Sequence, residues 1–330
     1  MTGFTRPTSA NTPPTRVAVI GECMVELTHR SDRTLALGFA GDTFNTAVYL
    51  ARGTRARDVR IDYVTAVGDD WYSNELVSAV EAEGIGTELV ARLPGHSPGL
   101  YLVRTDDQGE RTFTYHRSES AARHLFDQGW PERINRAVVE SDLIYLSAIT
   151  LQILSASARE RLWSMLSTAR ARGARVAFDS NFRPRGWSTV GDARAAIERT
   201  VASTDLYLPT LADEQAVFGD RDGPACAHRI AGLGVSECVI KDGARGCLVL
   251  TDDGVASVPA QPDVPVVDTT AAGDSFNAGY LAARLHGERP LRAAERAHLL
   301  AARVVGGPGA ILPEEVIPRR DPAEAALDTA

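Results

Sequence analysis

Val267-Asp268-Thr269-Thr270-Ala271-Ala272-Gly273-Asp274-Ser275-Phe276-Asn277-Ala278-Gly279 changes character part-way along. It leaves an extended, valine-rich segment, passes through small residues, and enters a helical pattern in which Phe276, Tyr280 and Ala283 share one face. Small residues at a helix start let backbone N–H groups approach an anion closely, and the helix dipole favours a phosphate there. Asp274 is the odd member, because a carboxylate in that first turn repels a bound phosphate. Two readings fit it: a partner for the positive end of the dipole, or a base set beside a group in transfer. Gly273-Asp274-Ser275-Phe276-Asn277 comes near the GxSxG nucleophile elbow, but Asn277 takes the place of the final glycine, and a hydrolase is set aside. The sequence also lacks a GxxxxGK[ST] loop, a GxGxxG after the first strand and an HExxH pair, which removes P-loop, Rossmann dinucleotide and zincin mechanisms.

Outward from this block, short apolar runs alternate with longer helical patterns, the sequence form of βαβ units building a mostly parallel sheet with helices on both faces. The strands expected are RVAVIGE (16–22), YVTAVG (63–68), LIYLSA (143–148), RVAFDSN (175–181), DLYLP (205–209) and ECVIKDG (237–243). Helices are expected over Asp42 to Arg52 and Ser157 to Arg172, closed by Gly53 and Gly173 in the left-handed conformation that ends many helices. Residues 26–40 and 99–117 break this rhythm with β-type alternation, and Asp106-Asp107-Gln108-Gly109 reads as a hairpin turn. Together they predict a small β lid, formed by about 26–41 and 94–120, whose apolar face calls for cover by substrate or a second subunit. One domain is expected over 15–317, with loose tails at 1–14 and 318–330.

Composition narrows the partners. With 35 Lys and Arg against 43 Asp and Glu, the net charge is -8, so no basic field attracts nucleic acid or an anionic membrane. The first fifteen residues lack the apolar core of a signal peptide, and no run approaches the roughly 20 apolar residues of a membrane span. A soluble, cytoplasmic protein follows. Cys23, Cys226, Cys238 and Cys247 show no CxxC spacing and read as reduced, buried thiols.

The chain resembles the ribokinase-like (PfkB) sugar kinases, and within them the branch acting on 2-keto-3-deoxygluconate. The resemblance is carried by Gly21-Glu22-Cys23-Met24-Val25-Glu26-Leu27, by Gly41 to Arg52, by Pro98-Gly99-Leu100-Tyr101 and by Gly109-Glu110-Arg111-Thr112-Phe113. It continues through Asp179 to Arg185 and the block Asp268 to Ala282. It implies a ribokinase-like doubly wound sheet and transfer of a phosphoryl group from ATP, with Mg²⁺, to the terminal (6-) hydroxyl of 2-dehydro-3-deoxy-D-gluconate. Asp274 becomes the base, and the amides around Ala271, Ala272 and Gly273 an anion hole.

Under the same resemblance Gly41, Asp42, Asn45, Tyr101, Tyr115, Arg117 and Arg183 contact the sugar, and Asn181, Arg183, Lys241, Gly243 and Gly246 the nucleotide. Two arginines suit a ligand carboxylate, which a guanidinium forks with two hydrogen bonds. Glu214 falls where the family carries the Glu of an NxxE motif that organises Mg²⁺, with Leu211 in the asparagine's place. Asp268 and Thr270 lie where some relatives bind a monovalent cation such as K⁺. The sequence departs from the pattern at Ala40, His116 and Gly186, of which Ala40 is expected to limit how near the sugar comes to the backbone. A homo-oligomer through the lid is implied. The alternatives are a kinase of ketodeoxygalactonate, fructose, ribose or a nucleoside, and a non-catalytic sugar-sensing relative.

Overall fold

On the first strand, Val17 and Val19 enter one hydrophobic cluster while Ala18 and Ile20 enter another, so the two-residue period of a strand divides the interior into two layers. A computed structural model describes residues 13–105 and 111–316. In chain order its strands are β1 (Thr15–Ile20), β2 (Met24–Ser31), β3 (Thr34–Ala40), β4 (Val59–Val67), β5 (Val90–Arg92), β6 (Leu100–Thr105) and β7 (Arg111–His116). They continue with β8 (Leu143–Ser147), β9 (Arg175–Asp179), β10 (Leu206–Tyr207), β11 (Glu237–Lys241), β12 (Cys247–Thr251) and β13 (Gly254–Val258).

Among the described residues, nine strands form one sheet in the order β13-β12-β11-β10-β9-β8-β1-β4-β5. From β5 to β11 every pairing is parallel, and β12 and β13 add an antiparallel edge that the sequence reading did not foresee. The six strands read from the sequence all lie in the parallel part, because burial on both faces makes such strands continuous apolar runs. β13 carries exposed positions and β12 half-buried ones, and both lose that signature. All four cysteines are buried and free.

The lid is a separate sheet, β3-β2-β6-β7. Thr105 lies opposite Arg111 in the antiparallel β6–β7 pair, and the expected turn at 106–109 falls outside the described residues. Met24, Ala40, Tyr101, Val103 and Ala310 form its small core, with Phe113, Ala271 and Ile311 packed against them. Ala40 therefore points into the lid's root and does not line the cleft.

The second expected helix appears as Ala156–Ala171, capped by the Ser155 hydroxyl, and Gly173 takes φ 95° as its closing residue. The first spans Asp42–Gly53, but Gly53 is not left-handed; the chain leaves through Thr54, whose hydroxyl donates to the Leu50 carbonyl. The missing Cβ of Gly53 instead admits the helix Ala272–Leu285, since an added methyl would lie 3.2 Å from Ala282. This second helix is held from its other side: the Tyr280 hydroxyl donates to Glu237 Oε1 at 2.6 Å, and Arg284 donates to both Glu237 oxygens at 2.8 Å. Tyr280→Phe removes one bond to a buried carboxylate and is expected to lower unfolding free energy by about 1–2 kcal/mol. A urea midpoint that falls at unchanged slope checks it.

Candidate active site

The parallel strands deliver their carboxyl ends to one edge of the sheet, where β9 ends on Asp179 and β11 on Lys241. Lys241 Nζ donates to Asp179 Oδ1 at 3.1 Å and Asn277 Oδ1 at 2.9 Å. The Asn277 amide donates in turn to Asp179 Oδ2 (2.8 Å) and to the Tyr145 hydroxyl of β8 (3.0 Å). All four residues are buried, so the start of the helix Ala272–Leu285 is pinned over three strand ends.

That helix begins at Ala271, which holds φ 59°, a left-handed conformation uncommon for a residue with a Cβ. Ser275 N–H makes the first turn's bond to the Ala271 carbonyl, and Ala272 N–H bonds the Thr269 carbonyl at 3.1 Å. Gly273 N–H, in that first turn, has no carbonyl one turn back and is available to an anion. Asp274 accepts a bond from Asn45 Nδ2 at 2.8 Å, and Asn181 Nδ2 donates to Asp42 Oδ2 at 2.8 Å. Burial pushes the Asp274 carboxyl up to about 8, helped by the charge of Asp42 and then Asp179, while the Asn45 bond and Lys241 oppose the rise. Its surface remains partly open, toward a cleft of about 1040 Å³ between lid and sheet edge.

Residues 14–317 match the pfkB family of carbohydrate kinases. The chain belongs to that family. It is 44% identical over 305 residues to a 2-dehydro-3-deoxygluconokinase of Dickeya dadantii, covering 92% of this chain and 98% of the relative. With the protein of the same description in Escherichia coli K12 it shares 42% identity, covering 92% and 99%. Among solved structures, a PfkB protein from Polaromonas superposes with a TM-score of 0.80 at 24% identity, over 92% of this chain and 98% of that one. The ribokinase-like fold is thus shared.

Most of the residues singled out in the sequence gather on this pfkB cleft. Gly41, Asp42, Asn45, Tyr101, Tyr115, Arg117, Asn181, Arg183, Lys241, Thr270 and Ala271 to Asp274 all line it. Gly41 must lack a side chain, because a Cβ would stand 2.1 Å from the Glu22 carbonyl oxygen.

Others lie elsewhere. Glu214 is fully buried away from the cleft, accepting from the Tyr207 hydroxyl (2.6 Å) and Arg229 (2.5 Å), and burial pushes its carboxyl up to about 7. It cannot organise a metal in the cleft from there. Its neighbour Asp213 lines the cleft instead, because one residue turns a side chain by about 100° around a helix. Gly243 and Gly246 make the turn after Lys241 without lining the cleft. Asp268 is not open to a monovalent cation: Arg111, Thr270 N–H and Gly309 N–H already bond its two oxygens. His116 is exposed outside the cleft, and at Gly186 the missing Cβ leaves room for Gln152, whose amide would otherwise lie 1.2 Å away.

The sequence reading missed Glu22, which is buried on the cleft wall, ion-paired with Arg117, and was quoted only as part of a motif. Asp213 could have been found by testing the neighbouring register of the expected NxxE motif. No local signal marks the Glu22–Arg117 pair, whose members stand 95 residues apart.

Left-handed Ala271 stores strain that glycine would not. Ala271→Gly is expected to raise unfolding free energy by about 0.5–1 kcal/mol, the strain relieved less the added freedom of the unfolded chain. Thermal or urea denaturation of the two proteins measures it.

Proposed function

We propose that the chain phosphorylates 2-dehydro-3-deoxy-D-gluconate at its terminal hydroxyl, using ATP and giving 2-dehydro-3-deoxy-6-phosphogluconate. The observation that carries this reading is the pair of cleft arginines, Arg117 and Arg183. Arg117 Nε and Glu22 Oε1 are both buried without a hydrogen-bond partner among the described residues. A ligand bringing a carboxylate and hydroxyls supplies an acceptor for the first and a donor for the second, whereas a neutral sugar leaves Arg183, which has no ion pair among the described residues, short of an anion. Relatives at 42–44% identity described as 2-dehydro-3-deoxygluconokinases support the same substrate.

The chemistry follows from the floor of the cleft. As the sugar oxygen attacks the γ-phosphorus, its proton passes to the Asp274 carboxylate, which Asn45 holds in place, and ADP departs with the bridging oxygen. The Gly273 N–H at the helix start, with Ala271 beside it, meets the charge growing on the phosphoryl oxygens, while Ala272 N–H is held by the Thr269 carbonyl. Asn181, Arg183 and Lys241 serve the nucleotide side. Asp42, Asp179, Asp213 and Asp274 line the cleft with one ammonium, Lys241, and this oxygen-rich, negatively charged floor suits a hydrated Mg²⁺, which Asp213 would hold, since both Asp179 oxygens already accept hydrogen bonds. When bound, Mg²⁺ offsets phosphate charge.

The lid excludes water once it closes. Its outer face carries Leu35 and Leu37, 41% and 44% exposed, beside Leu27 and Leu102 on neighbouring strands, an apolar surface suited to a second copy of the chain. We place this homo-oligomer in the cytoplasm, without nucleic-acid or membrane partners. No described helix is long and apolar enough to cross a membrane.

Asp274→Asn is expected to cut kcat by roughly 10² to 10⁴ while sugar and ATP still bind. A folded variant retaining a third of wild-type turnover would remove Asp274 from the role. The raised carboxyl also carries a sign that can be measured. In the wild type kcat/KM falls as pH drops below about 8, because the base acts ionised. The folded state keeps a proton that the unfolded chain releases near its ordinary value of about 4, so wild-type stability declines as pH rises through that window. Asp274→Asn lacks this decline, and urea midpoints from pH 5 to 9 compare the two.

Arg183→Ala is expected to lower kcat/KM for the keto acid by about 10- to 100-fold, with Arg183→Lys restoring only part. Turnover of fructose or ribose changes much less. An equal proportional loss on neutral sugars would move Arg183 from the substrate to the nucleotide.

A further inference from the structure

Arg111 opens β7, the outer strand of the lid, yet its guanidinium reaches the loop that leads into the helix Ala272–Leu285. Nη1 lies 2.5 Å from Asp268 Oδ2 and 3.2 Å from Thr270 Oγ1. Asp268 is buried, and its carboxylate also accepts from Thr270 N–H at 3.0 Å and Gly309 N–H at 2.5 Å. One carboxylate thus joins a lid strand, the loop carrying the anion-hole amides, and the loop at Gly309.

Arg111, Phe113 and Tyr115 alternate along β7 and all line the cleft. From Arg111 to Tyr115 the strand covers roughly 13 Å at about 3.3 Å per residue, so its sugar-facing and phosphate-facing ends move as one piece. Phe113 packs in the same small cluster as Ala271, the strained residue at the helix start. A left-handed alanine persists only where its surroundings hold it, and the bond between Arg111 and Asp268 grips the loop three residues before it.

We propose that Arg111 is a positioning residue that couples the lid to the anion hole: its guanidinium, held on Asp268, sets the loop from Thr269 to Gly273. This rests on the kinase reading above. The sugar-facing strand of the lid thereby bears on the phosphoryl end of the cleft without touching the nucleotide. It also explains why Asp268 and Thr270 bind a guanidinium of this chain where a monovalent cation was expected.

The experiment compares wild type, Arg111→Gln, Asp268→Asn and the double variant. Arg111→Gln is expected to lose about 10- to 100-fold in kcat with sugar KM held within about threefold, because positioning acts in the transition state more than in binding. In the Asp268→Asn background the same change costs little more, since its partner is gone. Millimolar guanidinium restores part of the kcat of Arg111→Ala. Hydrogen exchange gives a second reading that needs no turnover: with the sugar acid and a non-hydrolysable ATP analogue bound, amides 269–273 are protected in wild type and exchange faster in Arg111→Gln. Arg111→Lys replaces the glutamine variant if the latter unfolds.

Turnover of Arg111→Gln within about threefold of wild type, or the same loss with and without Asp268, overturns the coupling. Unchanged exchange at 269–273 overturns it as well. A wild type that phosphorylates no acceptor would fail the kinase reading instead, and the exchange comparison still decides the coupling.

Discussion

A buried ammonium has to be surrounded by acceptors, and the cleft is organised around that requirement at Lys241. Asp179 from β9 and Asn277 from the helix Ala272–Leu285 satisfy it, and Asn277 reaches on to Tyr145 of β8. Removing any member strands a charge or a polar group in a low-dielectric interior, at a cost of several kcal/mol by the usual behaviour of broken buried pairs. The network therefore does more than bind strands together. It fixes the height and tilt of the helix start, and with them the positions of Gly273 N–H and the Asp274 carboxylate.

Charge balance on the same floor explains why Asp274 differs from an ordinary carboxylate. Lys241 is already matched by Asp179, and Asn181 gives Asp42 a hydrogen bond but no charge. Asp274 is left with the neutral amide of Asn45, and burial beside Asp42 raises its affinity for a proton. A carboxylate so placed accepts a proton from an alcohol more readily than a solvated one, which is the property a phosphoryl transfer asks of its base. Here the fold and the chemistry depend on one distribution of charge.

The lid contributes the second set of constraints, and it does so through strand periodicity. Alternate residues of β6 and β7 place Tyr101, Phe113 and Tyr115 on the cleft side, with ring centroids 5.7–6.3 Å apart. Glu22 beneath them holds Arg117, so a guanidinium suited to a substrate carboxylate stands paired and oriented before the ligand arrives. On the proposed substrate the pair is kept, and its two unpartnered atoms, Arg117 Nε and Glu22 Oε1, set part of the selectivity by asking the ligand for an acceptor and a donor side by side.

Local physics made much of this legible. Strands buried on both faces read as apolar runs, the lid as alternation, and Val267 to Gly279 as a helix start fit for an anion, because each signal lies within one turn or one strand of the chain. Spacing alone was less secure. Counting from Leu211 selected Glu214, whereas the helix turns Glu214 into the interior against Arg229 and Tyr207 and leaves Asp213 on the cleft. An offset of one residue along a helix is invisible in composition and decisive in direction.

What the sequence by itself determined was the identity and order of the elements, and the residue types from which a phosphate site could be built. Only the tertiary structure decided which charges meet. Arg117 finds Glu22 across 95 residues and Arg111 finds Thr270 across 159. Ion pairing depends on distances of a few ångströms that chain separation does not encode, and the packing of lid on sheet edge supplies them.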